Sequence, residues 1–354
     1  MPPTDDQSGV GAPKPRSAGE KPAPGQPERR RALKRLVRGL AGPSRRDRIL
    51  ANLDLKALQG VEIGALASPL VRPEQGDILY VDFADTATLR EKYKDDPTVA
   101  IADIVNVDAL WGSQTLQQCI GADRKVDYVV ASHVIEHVPD LIAWLAEIRA
   151  ILKPAGALRL AIPDRRYTFD FLRPESRLHD VLDAYLSRAR APLPRAILEV
   201  NNLARAVDCG DAWDGALDID NLRRLGNPKV GIEQARDALA NGTYYDTHCW
   251  VFTPLSFAEL CAEMAQSDLL DLACDFYVET PRNQLEFYVG MVPGADKAAV
   301  IASWRTMRAS LLASRTYQKV PPNALRRVAS RLLLRNLRRR VWAAAVRARE
   351  RMRG

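Results

Sequence analysis

Residues 127–139 read DYVVASHVIEHVP, and this stretch decides the fold class of the chain. Tyr128 to Ala131 form a short apolar run rich in β-branched residues, which is typical of a strand covered on both faces of a parallel sheet. Ser132 and His133 follow where such a strand ends, and open α/β sheets bind their ligands at that edge. We therefore predict a buried strand with a polar end that faces a ligand.

The residues that follow complete a strand–helix–strand unit. Apolar side chains recur at helical spacing, at Leu141, Leu145, Ile148 and Leu152. The sequence KPAG at residues 153–156 ends this helix, and residues 158–162 form the next strand. The unit predicts an α/β fold in which the polar ends of both strands lie on one edge.

Two blocks, DYVVASHVIEHVPD at 127–140 and LKPAGALRLAIPDRRYTFD at 152–170, resemble class I S-adenosylmethionine-dependent methyltransferases. The likeness covers residues 58–292 and is closest to a bacterial group sometimes found joined to glycosyltransferases. It implies a Rossmann-like, seven-stranded, mostly parallel sheet and S-adenosyl-L-methionine as the cofactor. By analogy with that group, it also implies O-methylation of a sugar or another small hydroxylated acceptor in glycan metabolism.

The chain divides into three parts by composition and pattern. Residues 1–45 are polar, basic and rich in proline, so we predict a disordered arm. Residues 46–292 form the predicted methyltransferase domain, in which residues 164–247 are too long for a plain connection and are predicted to be a helical cap insertion. Residues 293–354 are predicted to be a helical, Arg-rich extension.

The remaining elements follow from the same criteria. Thr253 and Pro254 predict the start of a helix, with Thr253 as its N-cap. Further strands are predicted at residues 58–63, 78–81, 101–107, 272–277 and 286–291, and further helices at 116–120, 177–189, 194–206, 295–318 and 323–352.

Charge is distributed very unevenly along this chain. The net charge is +7, but residues 1–48 carry 12 basic against 5 acidic residues, and residues 321–354 carry 11 Arg against Glu350 alone. The middle holds 28 basic and 38 acidic residues. An acidic centre argues against specific binding of nucleic acid, whereas the basic ends suit contact with an anionic surface.

The cysteine pattern and the hydropathy predict the cellular compartment of the protein. The five cysteines are widely separated and form no CxxC pair, as expected of reduced thiols in a cytoplasmic protein. No apolar run is long enough to span a bilayer, and the N-terminus lacks an apolar signal core. We predict a cytoplasmic protein with peripheral contact at the inner face of the membrane; the sequence does not indicate its oligomeric state.

The resemblance assigns the first cofactor-binding residues. In the family, the loop after the first strand holds Glu/Asp-x-Gly-x-Gly-x-Gly; here Glu62 and Gly64 match, while Leu66 and Ser68 replace the later glycines. The acidic residue is expected beneath the methionine end of the cofactor. A cofactor with a methionine tail has no pyrophosphate, so the missing glycines are tolerable, although a plain tight turn is the alternative.

Two further carboxylates are predicted to hold the adenosine. Asp82 ends the second strand, where a carboxylate can accept hydrogen bonds from both ribose hydroxyls. Asp108 ends the predicted third strand and, by its position in the family, holds the adenine amino group; Asp103 competes for this role. Ser132 and His133 are expected to contact the amino acid part of the cofactor.

Residues His133, Glu136 and His137 permit a second interpretation. On a helix, the first and fourth residues share a face, so His/Glu/His can ligate a divalent ion. Most family members with a Glu-His pair at this place are metal-independent, and helix capping by Glu136 is the simpler explanation. We therefore predict that the enzyme has no metal site.

The candidate catalytic residues are His137, Asp164 and His248. Asp164 follows the fifth strand on the side of the acceptor, and a neutral His248 imidazole can take a hydroxyl proton near pH 7. Arg165 and Arg166 either clamp an anionic acceptor or pair with Asp164 and Asp170 as structural bridges, and the sequence leaves both open.

Two other classes of function compete with the methyltransferase. A non-catalytic Rossmann-like module, with a degenerate cofactor loop, would leave the basic ends as the functional parts. A nicotinamide-dependent dehydrogenase is disfavoured because the glycine-rich phosphate loop is missing. Carboxylates at all three expected strand ends favour the enzyme.

The C-terminal residues generate a prediction about membranes. Leu325, Leu332 and Val341 belong to an apolar stripe along an otherwise Arg-rich helix, which is typical of a helix on anionic lipid. We expect the full-length protein to co-sediment with anionic vesicles at low salt, and deletion of residues 321–354 to abolish this without affecting cofactor binding. Equal sedimentation of the two proteins would contradict the prediction.

Overall fold

The computed structural model describes residues 43–112 and 114–314, which form one seven-stranded sheet with helices packed on it. The strands are β1 (Gln59–Ile63), β2 (Asp77–Asp82), β3 (Ala109–Leu110), β4 (Val126–Ser132), β5 (Leu152–Pro163), β6 (Leu272–Val278) and β7 (Glu286–Pro293). The helices are α1 (Arg45–Ile49), α2 (Thr86–Tyr93), α3 (Leu116–Ile120), α4 (Leu141–Ile151), α5 (Leu178–Leu186), α6 (Pro194–Leu203), α7 (Cys209–Asp214), α8 (Pro228–Asn241), α9 (Pro254–Gln266) and α10 (Lys297–Ala313). Short 3-10 helices lie at Pro73–Gln75, Ile101–Asp103 and Arg165–Tyr167.

The sheet has the strand order β3-β2-β1-β4-β5-β7-β6. Strands β1 to β5 are mutually parallel, and β7 runs antiparallel to both of its neighbours. The order reverses between β1 and β4, and the carboxyl edge beside such a reversal is where open α/β sheets bind ligands. The predicted Rossmann-like, mostly parallel α/β fold is confirmed.

The register brings the carboxyl ends of the central strands together. Ile63 of β1 lies beside Val81 of β2 and Ala131 of β4, and Ser132 lies beside Ala161 of β5. Residues that follow these positions therefore meet along one edge of the sheet.

Strand β4 contributes side chains to both faces of the sheet. Val129 and Ala131 belong to the larger hydrophobic cluster, whereas Tyr128 and Val130 belong to the cluster on the other face, and all four side chains are fully buried. Alternation along a strand sends neighbouring side chains to opposite faces. The predicted doubly covered strand is confirmed, and the sheet separates two cores.

Helices α4 and α9 both begin at a polar N-cap residue. The side chain of Asp140 accepts a hydrogen bond from the amide of Ala143 at the start of α4. Thr253 does the same for Ser256 at the start of α9, with Pro254 in the first turn, as predicted. Such caps satisfy amides that have no partner within the helix.

The prediction of a third strand at residues 101–107 is wrong. Residues Ile101–Asp103 form a 3-10 helix, and the amide of Val105 donates to the carbonyl of Leu66 instead of pairing with β2. Pairing with β2 starts only at Asp108, so Asp108 precedes β3 and does not end it. The apolar residues of this segment lie in a 3-10 helix and a loop, a pattern that local periodicity does not distinguish from a strand.

Residues between β5 and α9 contain the helices α5 to α8. Helices α6 and α8 form a small hydrophobic cluster of their own, which contains Ile197, Ala235 and Ala238. The assignment of residues 164–247 as a cap insertion stays a prediction.

Helix α10 belongs to the main core. Val300, Trp304 and Leu311 lie in the larger hydrophobic cluster, and the indole of Trp304 donates to the carbonyl of Leu272 in β6 at 2.9 Å. The predicted Arg-rich helix at 323–352 and almost all of the predicted N-terminal arm lie outside the described residues. Within the part of the chain that the structure describes, no helix is long and apolar enough to cross a membrane.

Candidate active site at the carboxyl edge of the sheet

The loop after β1 is held by a buried carboxylate. Glu62 is 2 % exposed, and its side chain accepts hydrogen bonds from the amides of Leu70 at 2.7 Å and Val71 at 3.0 Å. Carboxylates that accept from backbone amides make strong, charge-assisted bonds. Glu62 therefore shapes the loop of residues 64–71 that lines the edge.

Gly64 is required at the beginning of this loop. Its φ is +69°, and a Cβ atom at this position would lie 2.9 Å from Cγ2 of Val134 in the loop after β4. Leu66 also has a positive φ of 46° although it is not glycine. The backbone of this loop thus has two residues with positive φ, a conformation that glycine favours, although only one of the family's three glycines is present.

Asp82 is a buried carboxylate at the end of β2. It is 7 % exposed and accepts a hydrogen bond from the amide of Phe83 at 2.8 Å. Burial raises the pKa of Asp82, against the opposing effects of the Phe83 amide and the Lys92 charge. Beside it, the side chains of Phe83 and Leu110 are more than half exposed, and Leu110 is the register partner of Asp82.

The two other carboxylates proposed for the adenosine differ in their surroundings. Asp108 is exposed, and its Oδ2 accepts a hydrogen bond from the amide of Tyr80 at 2.8 Å, which ties the segment before β3 to β2. Asp103 is exposed on the 3-10 helix. The roles of Asp82 and Asp108 in cofactor binding stay predictions.

Ser132 and His133 lie at the end of β4, as expected for residues at the ligand edge. His133 has a positive φ of 55°, and its amide donates to the carbonyl of Ala161. Its Nε2 lies 2.6 Å from Oε2 of Glu286 at the start of β7. The imidazole of His133 is therefore held on the β7 side of the edge.

Asp164 is fully buried, and its carboxylate is surrounded by donors. The guanidinium of Arg166 donates to both oxygens, and the hydroxyl of Thr280 donates to Oδ2 at 2.6 Å. These contacts give Asp164 a structural role at the end of β5; its catalytic role stays a prediction.

The two arginines beside Asp164 are engaged within the protein. Arg166 pairs with Asp164, and Arg165 donates to the carbonyl of Phe171 at 2.7 Å and lies 3.9 Å from Glu175. Of the two interpretations that the sequence left open, the structure favours structural bridges over a clamp for an anionic acceptor.

His137 and His248, 111 residues apart in the sequence, meet at the edge. Their ring centroids lie 4.7 Å apart with the planes nearly perpendicular. The contact arises because the amides of Cys249 and Trp250 both donate to the carbonyl of Glu136, at 2.6 and 3.2 Å. Two backbone hydrogen bonds thus join the turn after β4 to the segment before α9.

Each of the two imidazoles has its own carboxylate. Nδ1 of His137 lies 2.9 Å from Oδ1 of Asp246, and Nδ1 of His248 lies 2.6 Å from Oδ2 of Asp170. Arg173, which is 1 % exposed, donates to Asp170 at 2.8 Å and to the carbonyl of His248 at 2.9 Å. A hydrogen bond at Nδ1 therefore orients His248, whereas Nδ1 of His137 lies close to Asp246 without making a hydrogen bond to the described residues.

The pKa values of this cluster follow from these contacts. Burial works to raise the pKa of Asp170, but the bond with His248 and the charges of His248 and Arg173 lower it overall. The close contact with His137 lowers the pKa of Asp246 to about 2. Burial works to lower the pKa of His137, but Asp246 and Glu136 raise it overall.

Glu136 is buried without a hydrogen bond. It is 1 % exposed, and neither carboxylate oxygen accepts a hydrogen bond from the residues that the structure describes. The nearest basic atoms are Nδ1 of His133 at 3.6 Å and Nε2 of His137 at 3.9 Å. The capping role considered for Glu136 is wrong, because residues 135–137 form a turn and Asp140 caps α4.

Sequence reasoning missed several residues of this site. Asp246, Arg173 and Glu286 each orient a histidine or its neighbours, and none of them stands in a recognisable motif. The only local signal was the rarity of histidine, of which the chain has 4. Pairing of those histidines with acidic residues is visible only after folding.

A cleft of about 300 Å³ lies next to the segment that carries His248, and Cys249 and Trp250 line it. Its walls come mainly from α5, α6 and the residues before α5. They carry four carboxylates and one guanidinium, namely Glu175, Asp180, Asp183, Glu199 and Arg195. The cleft is therefore acidic and rich in hydrogen-bond acceptors.

The surroundings of Asp164 predict that its removal destabilises the fold. We expect Asp164→Ala to lower the free energy of unfolding by about 3–5 kcal/mol, because it removes a fully buried carboxylate to which Arg166 and Thr280 donate. Urea denaturation measures this, with Asp214→Ala as the control, since Asp214 pairs with Arg282 at the surface. That control should cost about 1 kcal/mol at most. Normal stability with loss of activity would assign Asp164 to the chemistry.

Solved structures resemble this chain only distantly. A protein described as a Zn-dependent alcohol dehydrogenase from Rhodobacter sphaeroides is 16% identical over 72% of this chain and 91% of its own, with a TM-score of 0.39. An S-adenosylmethionine-dependent methyltransferase from Mesorhizobium loti is 13% identical over 69% and 94%, with a TM-score of 0.33. The DhpI–SAH complex is 14% identical over 76% and 88%, with a TM-score of 0.29. These values carry no argument about function.

The comparison with protein families, in contrast, shows to which family the chain belongs. Among curated proteins, none matches the chain. The family model described as a methyltransferase domain matches residues 60–264, which is more than half of the chain and includes the edge described above. The predicted methyltransferase enzyme is thereby confirmed, and this chain belongs to the methyltransferase-domain family.

Proposed function

We propose that this enzyme transfers the methyl group of S-adenosylmethionine to a hydroxyl of a small, uncharged acceptor such as a sugar of a glycan. The observation that carries the proposal is the buried carboxylate of Asp82 at the carboxyl edge, where the next residue, Phe83, and the register partner, Leu110, are exposed. A family of methyltransferases needs an adenosine site at this edge, and this arrangement suits one.

The residues of the edge fit an adenosine with a methionine tail. Asp82 offers acceptor oxygens for ribose hydroxyls, and the apolar faces of Phe83 and Leu110 suit an adenine ring. The loop that Glu62 holds in place contains one glycine, so it offers no glycine-rich cradle for a pyrophosphate. This favours S-adenosylmethionine over a dinucleotide.

When bound, S-adenosylmethionine supplies a methyl group already made electrophilic by the sulfonium. In the transfer, a bond forms between the acceptor oxygen and the methyl carbon, the bond from carbon to sulfur breaks with its electron pair left on sulfur, and the hydroxyl loses its proton. The protein must align the acceptor, exclude water and receive that proton. We assign the last task to the cluster of Glu136, His137 and His248.

This cluster has the features that a proton acceptor needs. Glu136 has carboxylate oxygens with no hydrogen bond from the described residues. His248 is oriented through Nδ1, so Nε2 is the nitrogen that remains for a substrate, and His137 lies against it. The turn that carries Glu136 and His137 follows directly on Ser132 and His133 at the cofactor end of β4.

The acceptor is proposed to be neutral and hydroxylated because of the cleft beside His248. Its carboxylates accept hydrogen bonds from hydroxyl groups and repel anions, and Arg165 and Arg166 are engaged elsewhere. A sugar presents several hydroxyl donors without a charge. Sugar phosphates and carboxylated acceptors are disfavoured by the same charges.

Cofactor binding is the first test of the proposal. We expect calorimetry to detect binding of S-adenosylhomocysteine, and Asp82→Ala to weaken it roughly ten- to a hundred-fold, since a charged contact to ribose contributes about 1.5–3 kcal/mol. Asp123→Ala is the control, because Asp123 is an exposed carboxylate just before β4, at the opposite edge of the sheet. Absence of binding to the wild type would sink the proposal and favour a non-catalytic module.

Selectivity among acceptors is the second test. We expect methyl transfer to neutral sugars and little transfer to their phosphate esters. Asp183→Lys in the cleft should raise kcat/KM for a sugar phosphate by about five-fold, which corresponds to on the order of 1 kcal/mol of charge interaction at a wet surface. Asp220→Lys, at an exposed position outside the cleft, should leave it unchanged. A wild-type preference for phosphorylated sugars would contradict the proposed acceptor.

A further inference from the structure

We propose that Glu136, His137 and His248 form a binding site for one divalent transition-metal ion. Each of the three side chains offers one ligand atom, and these atoms all lie within 4.8 Å of one another. The two backbone hydrogen bonds to the carbonyl of Glu136 hold the two chain segments in this arrangement. The proposal extends the site without depending on the identity of the acceptor.

The buried carboxylate of Glu136 is the main reason to place a cation in this cluster. Its carboxylate is 1 % exposed and accepts no hydrogen bond from the residues that the structure describes. An ionised carboxylate buried without a hydrogen bond or a close cation is strongly unfavourable. The nearest imidazole nitrogens, at 3.6 and 3.9 Å, are too far to donate a hydrogen bond to it. A cation between Glu136 and the two histidines satisfies this carboxylate.

His248 is prepared as a ligand by the carboxylate behind it. Nδ1 of His248 is hydrogen-bonded to Asp170, so a proton on Nδ1 leaves the lone pair on Nε2. Histidines that bind metals almost always donate their other N–H to a carboxylate, carbonyl or water in this way. Asp170 is itself held by Arg173. Nδ1 of His137 lies 2.9 Å from Asp246 but makes no hydrogen bond to the described residues.

The ligand set indicates which ion binds. Two imidazoles and one carboxylate suit Zn²⁺, Mn²⁺, Fe²⁺ or Co²⁺, whereas Ca²⁺ and Mg²⁺ take oxygen ligands. Ligands of such ions lie about 2.0–2.2 Å from the metal, so two ligand atoms of a tetrahedral site are about 3.3–3.6 Å apart. The ligand atoms here lie within 4.8 Å of one another, so the most distant pair needs to approach by up to about 1.5 Å. Three protein ligands also leave a coordination position open.

This proposal departs from the sequence-based prediction of no metal site, which stays a prediction. That prediction weighed the local triplet of His133, Glu136 and His137. In the structure, Nε2 of His133 lies 2.6 Å from Glu286, and His248 from a distant segment joins Glu136 and His137. The proposed ligand set therefore differs from the local triplet.

The role of the ion follows from the proposed function and rests on it. An oxygen bound to such a cation loses its proton more readily than in water. With the ion bound, the acceptor hydroxyl is more acidic and its proton passes to solvent water, so the cluster holds the ion and does not receive the proton itself. The ion also orients the hydroxyl at the open coordination position.

The test uses Co²⁺ and the full-length protein freed of metal by a chelator and dialysis. We expect visible d–d absorption that saturates at one equivalent of Co²⁺. His248→Ala and Glu136→Gln should abolish this absorption. His179→Ala is the matched control, since it removes a histidine whose side chain is 72% exposed on α5, and it should bind Co²⁺ as the wild type does.

A second variant distinguishes loss of the metal site from unfolding of the protein. Asp246→Asn alters a side chain that is 50% exposed, and should weaken Co²⁺ binding about ten- to a hundred-fold by removing the carboxylate behind His137. No absorption with the wild type, unchanged absorption in both His248→Ala and Glu136→Gln, or unchanged affinity in a folded Asp246→Asn would overturn the proposal.

The metal test is independent of the proposed methyl transfer. Calorimetry of S-adenosylhomocysteine on the metal-free protein measures the cofactor site alone. Cofactor binding without Co²⁺ absorption would refute the metal site and leave the cluster as a proton acceptor. Co²⁺ absorption without cofactor binding would refute the proposed function and support the metal site.

Discussion

The burial of β4 on both faces is the constraint on which the rest of the structure depends. Every side chain from Tyr128 to Ala131 enters one of two hydrophobic cores, so this strand cannot carry a polar group along that stretch without a large desolvation penalty. Polar residues are therefore confined to the end of the strand. Ser132, His133 and Glu136 lie there, beside the ends of β1 and β5.

Loops at this edge are stabilised by buried charges that meet backbone amides or opposite charges. Glu62 accepts from two amides of the loop after β1, and Asp164 meets Arg166 after β5. Such contacts offset the desolvation of each charge because every acceptor oxygen has a donor. Leu66, which has a positive φ, lies in the loop that Glu62 holds, so hydrogen bonding compensates there for a backbone that glycine would adopt more easily.

Glu136 departs from this rule, and the departure is informative. Its burial comes from the crossing of two segments that are joined at its own carbonyl, by Cys249 and Trp250. Its carboxylate then lies near the imidazoles of His137 and His248 and accepts no hydrogen bond from the described residues. A buried carboxylate with both oxygens open in this way has the character of a binding site, in which a ligand completes the set.

The sequence by itself determined the class of fold and the edge that carries the site. Buried strands with β-branched runs, the Asp82 and Ser132 strand ends and the Thr253 cap could all be predicted, because they depend on residues adjacent in the chain or on a repeating period. The segment at 101–107 could not, since it forms a 3-10 helix and a loop that bonds to Leu66, and of its apolar residues only Ile104 is buried. Only the tertiary structure decided that His137 meets His248 and that His133 turns to Glu286. Those contacts join residues over a hundred positions apart, and no local pattern in the sequence encodes such a pairing.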